Sequence, residues 1–132
     1  MASAAVRPFT EQTLGRRVTL PAGGEVEMRV ELEPIWCIAQ GACASYRMVA
    51  TLVRSQGAVL EAGWSPAGEV LALNLAVLDI AGEVLRQEPL CGLHAPLHHV
   101  GLASASGRHA TQEALAALPD ATRRLFLCLR GL

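Results

Sequence analysis

Ligand-capable side chains crowd into Cys91-Gly92-Leu93-His94-Ala95-Pro96-Leu97-His98-His99, with His109 following, and these two places hold all four histidines of the chain. Thiolate and imidazole are what a zinc ion takes. A four-coordinate set can be drawn from Cys91, His94, His98 or His99, and His109. The spacing matches no standard zinc motif, so the competing reading is a polar loop that keeps its imidazoles in water. On the polar-loop reading no cofactor is expected, and zinc is the alternative.

Covalent chemistry finds fewer candidates. Cys91 or Ser104 beside a histidine would be the residue types of a nucleophile and its base. Ser104-Ala105-Ser106-Gly107 resembles a nucleophile elbow in composition only, and the sequence contains no phosphate-binding loop or dinucleotide fingerprint. Aspartate occurs only at Asp79 and Asp120, and Glu25, Glu27, Glu31 and Glu33 alternate as they would on a solvated strand face. A non-catalytic binding or assembly role is therefore expected over an enzyme. The small metal protein or metal-dependent enzyme built on the 91–109 loop stands as the alternative. Trp36, Tyr46 and Trp64 are the candidate binding anchors, since such rings serve as core or interface contacts.

The elements that must position these residues are read from periodicity. Glu25 to Glu33 alternates charged with apolar residues, which predicts a half-buried strand with Val26, Met28, Val30 and Leu32 inward, ended by Pro34. Pro21-Ala22-Gly23-Gly24 supplies a turn from Arg17-Val18-Thr19-Leu20, so the two pair as a hairpin. Tyr46 to Arg54 alternates again and turns at Ser55-Gln56-Gly57 into a return strand at 58–61. Val70 to Ile80 is the most apolar stretch and is expected as a central strand, returning through Ala81-Gly82 into Glu83 to Arg86. Leu90 to Gly107 is expected to be mostly loop with one short strand, its short apolar run being Val100-Gly101-Leu102-Ala103. Thr111 to Leu118 is the one short helix, stopped by Pro119, and Arg124 to Arg130 is a last strand. These elements predict a mainly β fold, an antiparallel β-sandwich with at most one short helix.

Composition bounds the partners. The chain has 132 residues, which suits one β-rich domain over 1–132 with 1–14 as a flexible N-terminal segment. Apolar residues make up 52% and charged residues 17%, so a core forms and apolar surface is left over, which predicts a homo-oligomer or a protein partner. A net charge of −1 provides no field to hold a polyanion, and nucleic acid is not expected. The N-terminus lacks the layout of a secretory signal, and no apolar run is long enough to span a bilayer. A cytoplasmic protein without membrane contact is expected, its four cysteines reduced.

Leu73-Asn74-Leu75-Ala76-Val77-Leu78-Asp79-Ile80-Ala81-Gly82-Glu83-Val84 resembles the strand–turn–strand of TerD-type tellurium-resistance and stress-response domains. Thr19 to Val26, Val30 to Trp36, and Ala114 to Phe126 resemble further pieces of that family, and together the pieces cover about half of the chain. The resemblance implies a β-sandwich with a stress-response role. It also implies calcium held by clustered aspartates, where this chain departs: Asn74 stands in the place of an acidic residue, and Ala103-Ser104-Ala105-Ser106-Gly107-Arg108 replaces the acidic loop. Calcium takes six or more oxygen ligands. The implied scaffold is one without its ions.

Overall fold

A computed structural model describes residues 14–21, 23–54, 59–60, 67–87, 92–118 and 124–131. In chain order the elements are β1 (Leu14–Thr19), β2 (Glu25–Cys37), β3 (Ala42–Arg54), β4 (Val59–Leu60), α1 (Ala67–Gln87), β5 (Leu93–His98), a 3₁₀ turn (His99–Leu102), α2 (Ala105–Ala116) and β6 (Leu125–Arg130). They form a single six-stranded sheet in the order β1-β2-β3-β5-β6, with β4 beside β3. The first three strands run as an antiparallel meander, while β5 and β6 join parallel to β3. The fold is therefore not an antiparallel sandwich. Among the described residues it is a mixed sheet with two α-helices, and the crossovers through α1 and α2 are what allow parallel neighbours.

The N-terminal hairpin forms as its alternation requires. Gly23 and Gly24 take positive φ of 95° and 87°, and the turn closes through Gly23 N–H donating to the Leu20 carbonyl. Val26, Met28, Val30 and Leu32 are buried, and the charged residues between them are exposed. Pro34 does not end the strand, which continues to Cys37 with a register shift between Ile35 and Trp36. Pairing with β1 ends at the Leu14–Val30 match, so among the described residues β2 has become an edge by residue 34, where a missing N–H is tolerated. The return strand after β3 is present as β4, pairing through Leu52–Leu60 and Val53–Val59.

The largest correction lies in residues 67–87, which form one helix of 21 residues where a strand and its return were expected. Val70, Leu73, Asn74, Val77, Leu78, Ala81, Val84 and Leu85 are buried, at helical spacings of three and four. A strand of that length would be unusual. Asp79 and Glu83, one turn apart, both reach Arg16 on β1, whose Nε donates to Asp79 Oδ2 at 2.7 Å and whose Nη2 donates to Glu83 Oε1 at 2.6 Å. The hydrogen bond to Asp79 first, then that to Glu83, holds the Arg16 pKa above its ordinary value.

The expected loop at 90–107 contains β5, whose Leu93, Ala95 and Leu97 are buried. At its end sits a polar contact inside the core. Asn74 is 4% exposed, and its amide meets the His98 backbone twice: Nδ2 donates to the carbonyl at 3.0 Å, and Oδ1 accepts from the N–H at 3.0 Å. The 3₁₀ turn then passes so close to α1 that a Cβ on Gly101 would lie 2.3 Å from Asn74 Nδ2. A Cβ on Gly107 would lie 2.2 Å from the Gly101 carbonyl oxygen. Ser104 caps α2, its Oγ accepting from Gly107 N–H at 3.0 Å, so the serine that suggested an elbow serves the helix terminus.

Two outcomes follow from this packing. Met28→Asp places a charge in the core and is expected to lower the urea midpoint strongly, whereas Glu27→Ala changes the solvated face and leaves it within about 0.5 kcal/mol of the parent. Asn74→Leu strands both His98 backbone groups without partners, and is expected to cost about 2–4 kcal/mol in urea unfolding. An unchanged midpoint for Asn74→Leu would show that the amide does not hold β5 to α1.

Candidate functional site

Among the described residues α1 covers one face of the sheet, α2 packs on α1 and the 3₁₀ turn, and neither helix lies on the other face. On the covered side, Met28 and Val30 of β2, Met48 and Leu52 of β3, and Leu93 and Leu97 of β5 share one core with Leu73, Val77 and Leu78 of α1. Side chains alternate along each strand, so register places the remainder on the open side. Glu33 pairs with Arg47, Arg47 with His94, and His94 with Phe126, making one row across four strands. The neighbouring row on β5 and β6 is Pro96 beside Cys128.

These rows form a shallow trough of about 500 Å³ whose lining includes Arg47, Val49, His94, Pro96 and Cys128. An Arg47 Nη2 donates to Glu33 Oε1, and this bond above all raises the arginine pKa. The His94 ring stacks on Phe126 with centroids 4.9 Å apart and planes inclined by 20°. Cys128 Sγ lies 3.8 Å from His94 Nδ1. A thiol and an imidazole are the types of a nucleophile and its base, and here Cys128 is exposed while His94 is half-buried on the sheet surface. The covered side holds a cavity of about 50 Å³ bordered by Val70, Leu73, Asn74 and Leu97, far below the roughly 300 Å³ at which ligand pockets begin.

The edge strand β6 carries the most distinctive surface. Register sets Leu125, Leu127 and Leu129 on the helix side and Phe126, Cys128 and Arg130 on the open side. Only Leu125 packs against the core. Phe126 is 50% exposed, Leu127 39% and Leu129 46%, so β6 presents apolar side chains from both faces. Among the described residues β6 pairs with β5 alone, leaving its outer row of backbone N–H and C=O groups open. The opposite edge differs: β1 carries Arg16 and Arg17 in its centre, and charged side chains discourage pairing.

The residues singled out from the sequence are dispersed. Trp36 sits near the end of β2 and is exposed, Tyr46 is buried on β3, and Trp64 lies outside the described residues, as does Cys91. No second sheet exists among the described residues to form an inter-sheet pocket around them. His94 lies on the open face. His98 uses its ring to cap the 3₁₀ turn, Nδ1 accepting from Val100 N–H at 3.2 Å, and stacks on His99 at 4.8 Å. His99 Nδ1 is 3.1 Å from the Arg130 carbonyl oxygen, which ties the turn to β6. His109 is on α2 and pairs with Glu113 one turn on. Among the described residues, no group of three or more His, Cys, Asp or Glu side chains is placed to hold a metal. Cys128 escaped attention because it lies 34 residues from His94, and only strand pairing brings the two together. Cys37 and Cys128 are free thiols. No described helix is long and apolar enough to cross a membrane.

Comparison with known proteins finds no family model, no curated protein and no solved structure that matches the chain. The TerD-type resemblance therefore rests on the residues of this sequence alone, and the segment 73–84 that carries it most fully lies within α1.

Proposed function

We propose that this chain is a non-catalytic binding and assembly module that adds a strand to its sheet along the outer edge of β6. The observation that carries the reading is the combination on one six-residue strand of an open backbone edge with half-exposed Phe126, Leu127 and Leu129. An added strand satisfies the row of N–H and C=O groups, and its side chains cover apolar surface on both faces at once. Large apolar patches on soluble proteins commonly mark such contacts. The Arg16 and Arg17 edge gives the sheet one direction of growth, and the open trough beside Phe126 offers room for side chains of the arriving strand.

Hydrogen–deuterium exchange tests the edge directly. In the assembled protein, the β6 amides that do not donate to β5 are expected to exchange slowly, and Leu129→Lys is expected to make them fast while the far-UV circular dichroism keeps the spectrum of the folded chain, because the residue is half-exposed. Fast exchange at these amides in an assembled sample, unaltered by Leu129→Lys, would rule out β6 as the assembly surface.

A further inference from the structure

We infer that the strand received by β6 is the β6 of a second copy, antiparallel about a two-fold axis perpendicular to the sheet and midway between the two Cys128 residues. This rests on the reading of β6 as a pairing edge, and it goes further by fixing the partner and the register.

The argument is one of complementarity along Leu125-Phe126-Leu127-Cys128-Leu129-Arg130. A two-fold axis perpendicular to the sheet preserves its faces, so residues that meet must come from the same face, and the axis must coincide with a residue or its equivalent on that face. With the axis on Cys128, Leu127 meets Leu129 on the helix side, twice by symmetry. On the open side Phe126 meets Arg130. The Phe126 ring, already stacked on His94, then has a guanidinium at its free side, an attraction of cation and ring. All five positions from 126 to 130 are used, and no like charges face each other.

Neighbouring registers lack these properties. An axis on Leu127 sets Phe126 against Cys128 and leaves Arg130 opposite Arg124, which lies outside β6 with its Nη2 donating to the Leu85 carbonyl, so the Arg130 guanidinium has no ring to face. An axis on Leu129 sets Leu127 against Gly131, which has left the strand at φ +82° with the His98 ring packed where a Cβ would go. The favoured register also joins the helix-covered faces of the two copies, so Leu127 and Leu129 of each are covered by their counterparts. Position 128 is the only one that meets itself.

That self-meeting position allows a register-specific test. Cys128→Glu alone and Cys128→Lys alone each bring like charges together on the axis, and each is expected to be a monomer by light scattering at concentrations where the parent is a dimer. An equal mixture of the two is expected to recover the dimer mass, as a Glu–Lys pair. In the parent, diamide is expected to join the two Cys128 thiols, each losing a proton and an electron as the diamide is reduced to its hydrazine. Directly opposed Cβ atoms lie about 4.5–5.5 Å apart, close to the range a disulfide spans. Peptide mapping is expected to find Cys128 linked to Cys128, and Cys128→Ser to remove the link while the mass stays dimeric.

The parent as a monomer would overturn the inference. If the outward β6 amides of that monomer exchange fast, β6 remains an open edge for a different protein, and only self-pairing fails. If they exchange slowly, the chain's own residues cover the edge, and the proposed assembly reading fails with it. A dimer whose β6 amides are fast would defeat the assembly reading outright. A dimer that neither Cys128→Glu nor Cys128→Lys dissociates, or that mixing fails to restore, would defeat the register.

Discussion

The two hydrogen bonds between the buried Asn74 amide and the His98 backbone organise the C-terminal half of this protein. They join the middle of α1 to the last residue of β5, and they do so in the core, where an unmatched polar group is costly. The contact requires close approach, which Gly101 and Gly107 permit in sequence: the first lets the 3₁₀ turn lie against Asn74, and the second lets α2 start against the turn. The course of the chain out of β5, and with it the route through α2 to β6, depends on this stack of an amide and two glycines. His99 closes the arrangement by reaching the Arg130 carbonyl at the far end of β6.

Among the described residues only one face of the six-stranded sheet is covered, and this decides the character of the other face. On β2 the open side is built from glutamate and arginine, with ion pairs such as Arg29 Nε to Glu27 Oε1 at 2.6 Å, and it is stable in water. Exposed pairs of this kind add little energy. Their consequence is negative: they discourage a second sheet from docking there, which is the physical objection to a sandwich. Toward β6 the open face carries fewer charges, with His94, Pro96, Phe126 and Cys128 ahead of Arg130 at the end of the strand.

The two edges differ for the same reason. Arg16 belongs to the fold, since it draws α1 onto β1 through Asp79 and Glu83, and it also places charge at that edge. β6 has no comparable side chain before Arg130, and its leucines lie at the rim of the helical layer, only partly covered. An apolar strand at a rim is a liability unless it is used. This asymmetry ties the core, the solvated face and the proposed assembly surface to one arrangement of strands.

Local sequence determined the elements whose signal lies within a few residues. The alternation of Glu25 to Glu33, the paired glycines at 23 and 24, and the run Leu125 to Arg130 each state a backbone geometry directly, because a strand repeats every two residues and a tight turn needs positive φ. Local sequence left α1 ambiguous: Val70 to Ile80 is apolar on nearly all sides because neighbours approach it from several directions, which hides the helical period until burial reveals it at Val70, Leu73, Val77 and Val84. The same limit hid β5, where His94, Pro96 and His98 alternate with buried residues yet read as loop composition. Tertiary structure alone decided the sheet order, since parallel pairing links residues tens of positions apart. It brought Cys128 to His94, parted His94 from His109, and gave Asn74 a backbone to bind. No short-range pattern encodes such contacts, because they arise only when separate elements bury their apolar faces against one another.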